Sequence, residues 1–178
     1  MELWEILDEN GNKTGVIKAR NSQLNEGEYH LVVQVWIMNS DGEFLVSRRD
    51  PKKAWPLMWE CTGGSAEVGE DSLAAALKEV REELGIELDP KNGEMYLSRL
   101  KRSHFIDAGM MLLDVWIFRQ DVDLADVVLQ EGETCYAAYM VQEQILKMID
   151  EGSFIGFEFY PYLSDLFAYT KSPKFQDK

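Results

Sequence analysis

The first third of the chain carries short runs in which apolar, β-branched and aromatic residues dominate, a pattern typical of β-strands. These runs cover residues 3–7, 14–19, 30–38 and 44–49. The polar segment DENGN lies between the first two runs, and NSDGE lies between the last two. Each segment contains a glycine suited to a tight turn. The pattern therefore predicts an N-terminal hairpin within residues 1–20 and a second hairpin after it.

Further along, the apolar positions change to a helical period. Leu73, Leu77, Val80 and Leu84 follow the spacing of a buried helical stripe, and Gly85 suits the end of that helix. Residues 95–102, 110–119 and 134–141 are predicted strands, and residues 142–152 and 162–170 are predicted helices. We expect residues 171–178 to form a flexible tail. Strands intermixed with three helices predict one α/β or α+β sandwich domain over residues 1–178.

The net charge of the chain limits the kinds of binding partner that the sequence predicts. The 178 residues carry a formal net charge of −14. A broad footprint on a nucleic acid polymer or on an anionic membrane needs an excess of lysine and arginine, so neither partner is expected. A small anionic substrate needs only a local cluster of positive charge and stays compatible with the sequence.

Nothing in the sequence predicts export or membrane insertion. The N-terminal segment MELWEILDEN is acidic and short of apolar residues, unlike a signal peptide. The most apolar window, residues 109–118, is too short to span a bilayer and contains Asp114. Only two cysteines occur, too few for a disulfide framework. We therefore expect a cytoplasmic location.

The predicted helix before Gly85 has an unfavourable charge pattern. Glu79, Glu82 and Glu83 stand at i, i+3 and i+4, so their carboxylates crowd one another near the negative end of the helix dipole. At about 100° per residue, Glu83 and Glu79 lie roughly 90° and 130° to one side of the apolar stripe, and Glu82 lies about opposite it. Two of the three carboxylates are therefore expected at the edge of the buried face.

Two interpretations fit this pattern. The acidic positions can form a solvated face with Lys78 and Arg81 as neighbours. Alternatively, the carboxylates surround a cation, because oxygen ligands at short spacing suit Mg²⁺ or Mn²⁺, which keep coordination positions for water and phosphate. In the second case the bound ion relieves the repulsion.

The stretch from residue 64 to residue 86 resembles the signature of the Nudix hydrolase family. That signature is glycine, five residues, glutamate, seven residues, arginine-glutamate, an aliphatic residue, any residue, two glutamates, any residue, glycine and an aliphatic residue. Eight of its nine specified positions match over 23 residues, and they are Gly64, Glu70, Glu79, Val80, Glu82, Glu83, Gly85 and Ile86. Lys78 replaces the family's arginine, which keeps the charge but loses the bidentate guanidinium. We place Lys78 among the expected substrate-binding residues.

The resemblance implies a fold, a cofactor and a chemistry. The implied fold is an α/β/α sandwich with a mixed β-sheet flanked by helices, and the implied cofactor is Mg²⁺, with Mn²⁺ as a substitute. The implied metal ligands are Glu79, Glu82, Glu83 and the backbone carbonyl of Gly63, and the three glutamates are also implied in catalysis. The implied reaction hydrolyses a diphosphate bond in a small molecule, expected to be a nucleoside diphosphate derivative. Dimers are frequent in the family, so a homodimer is compatible with the sequence.

Many members of that family take a general base, or an extra metal ligand, from a loop glutamate about six residues before an aromatic residue on the next strand. Glu133 stands six residues before Tyr139, which makes it the first candidate for the general base. Glu131 is the second candidate. On pattern alone, glutamates in a turn before a strand are ordinarily solvated, so that interpretation stays open.

Residues 30–59 resemble one branch of the superfamily, the isopentenyl-diphosphate isomerases. A histidine opens the strand, a paired basic segment follows, and Lys-Ala-Trp-Pro leads to a tryptophan. By that resemblance the candidates to hold a substrate diphosphate are Arg48, Arg49, Lys52 and Lys53. The alternative is a solvated basic loop.

Most groups that the isomerase chemistry needs are absent. Its second metal histidine falls at Gln23, and its catalytic cysteine falls near residues 64–65, not at Cys61. Its later strand acid falls at Leu112, with Asp114 two residues further on. Hydrolysis is therefore the expected activity, and an isomerase and a catalytically inactive nucleotide sensor are the alternatives.

Several other side chains have a structural and a functional interpretation. His30 and Cys61 are expected to be structural, because nothing near Cys61 in the sequence would lower the pKa of its thiol. His104 is a weak candidate for a phosphate contact. Trp55 and Trp59 are expected in the core by spacing, but they flank the basic loop and could stack on a base.

Overall fold

In a computed structural model that describes residues 2–103 and 110–176, the chain forms nine β-strands and four α-helices. The strands are β1 (Leu3–Leu7), β2 (Lys13–Ala19), β3 (Tyr29–Met38), β4 (Phe44–Arg49), β5 (Trp59–Glu60), β6 (Thr62–Ser65), β7 (Gly93–Ser103), β8 (Met110–Arg119) and β9 (Thr134–Met140). The helices are α1 (Ser72–Leu84), α2 (Gln142–Asp150), α3 (Leu163–Thr170) and α4 (Pro173–Gln176), with short 3-10 turns at Pro90–Asn92 and Leu124–Asp126. The predicted elements are confirmed to within a few residues. The segment from residue 59 to residue 65, for which no element was predicted, contains β5 and β6.

Strand β3 organises a mixed sheet. It pairs in parallel with β8 along its whole length, from Tyr29 opposite Met110 to Met38 opposite Arg119. Its other neighbours, β1, β4 and β6, are antiparallel to it. Because β6 pairs with residues 32–35 of β3, the glycines of β6 lie beside the centre of the sheet.

Alternate side chains of β3 enter two separate cores. On one face Val33 packs in a cluster with Ala76 and other residues of α1. On the opposite face Trp36 packs in a cluster with Ile145 of α2 and Phe167 of α3. Helices therefore cover both faces of a mixed sheet, and the predicted α/β/α sandwich is confirmed. Within the described ranges, no helix is long and apolar enough to cross a membrane.

The buried face of α1 is rotated from its predicted position. Ala75 and Ala76 are fully buried, whereas Leu73 and Leu77 are only half-buried at its edge. Small alanine side chains let the helix backbone approach the sheet, and the leucines then cover the margin. The rotation carries Glu83 from the predicted edge into the buried face.

Both ends of α1 are capped. The Asp71 side chain accepts a hydrogen bond from the Ala74 N–H at 2.8 Å, and Gly85 ends the helix in the left-handed conformation at φ 69°. A side chain at Gly85 would also press on Val128 in the loop before β9. The predicted C-cap is confirmed, and the close contact shows why glycine is needed there.

The predicted flexible tail is wrong for residues 173–176. These residues form α4, and the Phe175 ring is buried with the Arg119 guanidinium 3.6 Å from its centre. An apolar anchor and a cation–π contact hold the segment against the sheet. His104 lies outside the described residues.

Candidate active site

A cleft between α1, strand β6 and the loop before β9 collects the carboxylates assigned to catalysis. Glu79, Glu82 and Glu83 of α1 line it together with Glu133 of the loop. We call this site the acidic cleft. Residues that are 50 positions apart in the sequence are therefore neighbours in the fold.

The loop before β9 is held against the C-terminal end of α1. The Gln130 N–H and the Thr134 hydroxyl both donate to the Glu83 carbonyl, at 3.1 and 3.0 Å. These bonds satisfy a carbonyl that a helix end leaves without an intrahelical partner. They also hold Glu133 beside α1. Glu131 is exposed and is not among the residues that line the acidic cleft, so the geometry favours Glu133 of the two candidates.

Gly63 and Gly64 let the backbone of β6 approach its neighbours closely. A side chain at Gly64 would overlap the Glu79 carboxyl group, and one at Gly63 would overlap the backbone oxygen of Val33 on β3. The Glu79 carboxyl group therefore rests directly on the β6 backbone. Gly63, whose carbonyl is an expected metal ligand, lines the same wall of the cleft.

Burial makes the charged forms of two glutamates unfavourable. The Glu83 side chain is buried, and its Oε2 has no hydrogen-bond partner within residues 2–103 and 110–176. Burial, followed by the charges of Glu60 and Glu79, raises the pKa of Glu83 well above its usual range. Burial also raises the pKa of Glu79 to about 7, with Lys78 opposing the rise and Glu82 adding to it. Without a cation, the surroundings of Glu79 and Glu83 therefore favour the protonated forms of these two side chains.

The residues present fit a hard divalent cation. A buried carboxylate oxygen without a partner is costly unless something positive binds it. Glu79, Glu82, Glu83 and the Gly63 carbonyl offer only oxygen, which suits Mg²⁺ or Mn²⁺ better than a soft metal. Among residues 2–103 and 110–176, no three His, Cys, Asp or Glu side chains are already grouped as a ligand set.

Two lysines of the cleft already bind carboxylates. The Lys78 ammonium lies 3.0 Å from Glu67, 3.1 Å from Glu70 and 3.8 Å from Glu79. Lys78 thus links Glu67 and Glu70, which precede α1, to Glu79 on the helix. Its ammonium group acts as a point charge and cannot form the bidentate contact of an arginine. Lys53, from the basic loop, forms an ion pair with Glu133 across the cleft.

The structure separates the four basic candidates of the loop. The Arg48 guanidinium donates to the Leu57 carbonyl, and Arg48 does not line the acidic cleft. The Arg49 guanidinium donates to the Ala54 carbonyl and to both oxygens of Glu60, each at 2.7 Å. Both arginines therefore hold the loop in place. Lys52 is exposed, and only Lys53 of the four reaches the acidic cleft.

A second cavity of about 330 Å³ opens beside the acidic cleft. We call it the adjoining cavity. Its walls include Trp55, Phe159, Tyr160 and Ile155, and its polar lining includes Gln34. Its size and mixed lining are typical of a small-molecule pocket. Trp55 packs on Phe159 with ring centres 4.9 Å apart, whereas Trp59 packs on Tyr136 away from the cavity.

Sequence reasoning missed several residues of these two sites. Arg20 lines both of them, and Glu60, Phe159 and Tyr160 line the adjoining cavity. They lie on the N-terminal hairpin, on β5 and before α3, far from the signature in sequence. The available signal was the group of aromatic residues just before α3, which includes Phe159 and Tyr160. Large aromatic side chains often form the walls of binding pockets.

His30 and Cys61 both lie in the wall of the adjoining cavity, not in the acidic cleft. The His30 ring is buried and stacks on Trp4 with ring centres 4.0 Å apart. The Cys61 thiol is buried, and burial raises its pKa far above the usual range. A thiol of this kind is a poor nucleophile at neutral pH.

The raised pKa values predict how the metal-free protein responds to pH. An acid whose pKa is higher in the folded state binds protons more tightly there, so the folded state loses stability as pH rises between the unfolded and folded pKa values. With Glu79 at about 7, its share of the unfolding free energy should fall by roughly 1 kcal/mol between about pH 6 and about pH 8. Denaturant unfolding in a chelator at the two pH values measures this. Glu79→Gln should reduce the difference, and an unchanged difference in that variant would contradict the assignment.

Comparison with known proteins agrees with the geometry. The family model described as the NUDIX domain matches residues 28–163. An uncharacterised Nudix hydrolase of Listeria monocytogenes is 37% identical over 168 residues, which is 93% of this chain and 95% of the relative. An isopentenyl-diphosphate Delta-isomerase of Citrobacter koseri is 36% identical, but only over 85 residues, 47% of each chain.

Solved structures share the fold at low sequence identity. A crystal structure from Deinococcus radiodurans has a TM-score of 0.68 and 20% identity, and the match covers 96% of this chain and 100% of that one. The MutT protein from Methanosarcina mazei has a TM-score of 0.63 and 21% identity, covering 81% of this chain and 96% of that one. At such identities the likeness concerns the fold alone. The family model and the near full-length relative go further, and they show that the chain belongs to the Nudix hydrolase family.

Proposed function

We propose that this Nudix hydrolase cleaves a diphosphate bond in a small molecule, in the cytoplasm, with Mg²⁺ as the cofactor and Mn²⁺ as a substitute. The observation that carries the proposal is the acidic cleft, which is lined by Glu79, Glu82, Glu83 and Glu133. One of its carboxylate oxygens, Oε2 of the buried Glu83, has no hydrogen-bond partner in the described part of the chain. The adjoining cavity can hold the group attached to the diphosphate. Its aromatic walls suit a nucleoside better than a simple phosphate, so a nucleoside diphosphate derivative is the proposed substrate class.

The cation would be held by Glu79, Glu82, Glu83 and the Gly63 carbonyl. When bound, the cation would neutralise charge on the phosphate and lower the pKa of the water that it binds. The chain's own contribution is placement. Glu83 is buried, and the Glu79 carboxyl group packs directly on the backbone of Gly64. These contacts fix two carboxylates in a site shielded from solvent.

Glu133 is the proposed general base. Its loop is anchored on the Glu83 carbonyl, which holds its carboxylate next to the α1 carboxylates. From there it can take the proton of the attacking water and release it to solvent at the open side of the cleft. Lys53, its ion-pair partner, lies on the opposite wall and can turn to a substrate phosphate.

A substrate panel tests the proposal. Purified protein should release phosphate or a monophosphate from at least one nucleoside diphosphate derivative when Mg²⁺ is present, and a chelator should stop the release. Isoprenoid diphosphates belong in the same panel because of the partial similarity to isomerases. Glu87→Gln, which changes an exposed glutamate outside the acidic cleft, is the matched control and should keep full activity. A protein that cleaves no diphosphate under these conditions would refute the proposed function.

Isoprenoid-diphosphate isomerisation is the second candidate, because the matched stretch and a cysteine in the cavity wall favour it. The environment of Cys61 argues against it. Proton transfer at carbon needs a thiol that ionises or exchanges protons near neutral pH, whereas burial raises the pKa of this thiol. A nucleotide sensor without catalysis would not need the carboxylates of the acidic cleft.

Cys61→Ala separates the first two candidates. Hydrolysis should stay within about threefold of wild type, because the thiol has no proposed part in proton transfer or in holding the cation, whereas loss of a general acid or base typically costs about 10²–10⁴-fold. A small fall in melting temperature is expected, because a buried side chain loses an atom. Interconversion of isopentenyl and dimethylallyl diphosphates by the wild type, lost in Cys61→Ala, would instead establish the isomerase.

A further inference from the structure

The acidic cleft and the adjoining cavity meet at a common wall, which we call the junction. Arg20, Lys53, Gly63, Gly64 and Ser65 line both sites. A substrate whose reacting phosphate lies in the acidic cleft and whose remaining group lies in the adjoining cavity must cross this wall. A phosphate of the diphosphate then lies at the junction, where it needs a positive partner.

The obvious arginines are not available for that phosphate. Arg48 donates to the Leu57 carbonyl and does not line the acidic cleft. Arg49 forms a half-buried pair with Glu60, whose two oxygens it binds at 2.7 Å. To bind phosphate, Arg49 would have to leave Glu60 as an unpaired carboxylate in the cavity wall, which is costly.

Arg20 is differently placed. It ion-pairs with Glu2, and the two side chains are 51% and 47% exposed. An exposed ion pair contributes little, so a phosphate can replace the carboxylate at small cost. A guanidinium also matches two phosphate oxygens at once, which the ammonium of Lys53 cannot do.

The N-terminal hairpin fixes where Arg20 lies. The backbone N–H of Arg20 donates to the Glu2 carbonyl at 2.9 Å, and this bond joins the end of β2 to the start of β1. Asn21 follows in the left-handed conformation at φ 67°, and the Ser22 N–H donates to the Ala19 carbonyl at 3.0 Å. Asparagine tolerates this conformation better than most residues. The turn therefore holds Arg20 at the junction although it lies 44 positions before the signature begins at Gly64.

We propose that Arg20 is a substrate-binding residue that holds the phosphate at the junction, and that Glu2 competes with this phosphate for the guanidinium. The proposal rests on the proposed function, since it assumes a diphosphate that spans the two sites. It assigns to the N-terminal hairpin a role in substrate affinity. Lys53 is the second cation of the same phosphate site.

The test measures binding, not turnover. The probe is imidodiphosphate, a diphosphate with a nitrogen bridge that resists hydrolysis, titrated calorimetrically in the presence of Mg²⁺. Arg20→Ala should weaken binding about tenfold or more, because a charge-assisted hydrogen bond is lost. Lys13→Ala is the matched control and should bind within twofold of wild type, since Lys13 is a cation of the same hairpin that pairs with Glu5 and lines neither site.

Glu2→Gln distinguishes a binding role from a structural one. Both Arg20→Ala and Glu2→Gln remove the same ion pair, but only the first removes the guanidinium. Glu2→Gln should therefore bind the probe as tightly as wild type or more tightly. Equal weakening in both variants would show that Arg20 acts only through its pair with Glu2, and it would overturn the proposal. Far-ultraviolet circular dichroism of all three variants checks that the hairpin is folded.

The outcomes also separate this proposal from the proposed function. If the wild type hydrolyses a diphosphate but Arg20→Ala binds imidodiphosphate as wild type does, the proposal about Arg20 fails and the function stands. If the wild type binds imidodiphosphate through Arg20 but cleaves no diphosphate, the function fails and the assignment of Arg20 stands. A wild type that does not bind imidodiphosphate at all overturns the assignment.

Discussion

Glu83→Gln is expected to lower the rate of diphosphate hydrolysis by about 10³-fold or more, because it removes a charge from the buried centre of the proposed cation site. Glu83 is the most enclosed carboxylate of the acidic cleft, and its Oε2 has no hydrogen-bond partner among the residues that the structure describes. An amide has the same shape but cannot neutralise a cation. The wild type should gain about 2.7 kcal/mol of unfolding free energy when Mg²⁺ is present at a hundred times its Kd, and the variant should lose most of this gain.

The metal-free state gives an independent readout for the same variant. Since burial disfavours the charged form of Glu83, the neutral amide should leave the chelator-treated protein as stable as wild type or more stable at about pH 8. Glu87→Gln is the control, and its response to Mg²⁺ should equal that of wild type. If Glu83→Gln kept the full Mg²⁺ response, the carboxylates of α1 would be only a polar surface.

The sheet and the helices could be predicted because their signals are local. A run of apolar, β-branched and aromatic residues defines β3, the strand that carries Val33 and Trp36, and the glycine signal at Gly85 marks the end of α1. The rotation of α1 could not be predicted, since it depends on which face fits the sheet. The leucine pattern favoured Leu73 and Leu77, but the alanines allow the closer approach, and burial of Glu83 follows from that choice.

The candidate site shows the same division between local and long-range information. The spacing of Glu79, Glu82 and Glu83 places them on one helix, so their proximity follows from sequence alone. The position of Arg20 does not, because it depends on how the N-terminal hairpin packs beside β3. The buried Phe175 is a similar case, since a short polar segment gives no sign that one ring will anchor it.

The pairing of Arg49 with Glu60 explains why a basic loop in an acidic chain is a weak signal for phosphate. Sequence shows the positive charges of residues 48–53 but not the partners that the fold supplies. Three of these cations have different partners. Arg48 binds a backbone carbonyl, Arg49 binds the half-buried carboxylate of Glu60, and Lys53 binds the proposed base. Only a charge with an exchangeable partner can take a phosphate, and this criterion points to Lys53 within the loop.

Glu133→Gln is expected to lower kcat by about 10²–10⁴-fold, the usual effect of removing a general base. The amide keeps the shape of the side chain and cannot accept the proton of water. The Mg²⁺-induced rise in melting temperature should stay close to that of wild type, because Glu79, Glu82 and Glu83 are unchanged. Loss of kcat with retention of the Mg²⁺ response is the signature of a base and not of a metal ligand.

Glu131→Gln is the matched control for this prediction, because it changes an exposed glutamate of the same loop outside the acidic cleft. Its kcat should stay within about threefold of wild type, well short of the loss expected for a general base. If the order of the two variants reversed, Glu131 would be the base, and the loop would have to move on substrate binding. If both variants stayed active, a carboxylate of α1 would activate the water, with Glu82 as the most exposed of the three, and the loop would be only a solvated turn. If Glu133→Gln lost the Mg²⁺ response together with kcat, Glu133 would be a metal ligand, since a residue that only moves a proton leaves cation affinity unchanged.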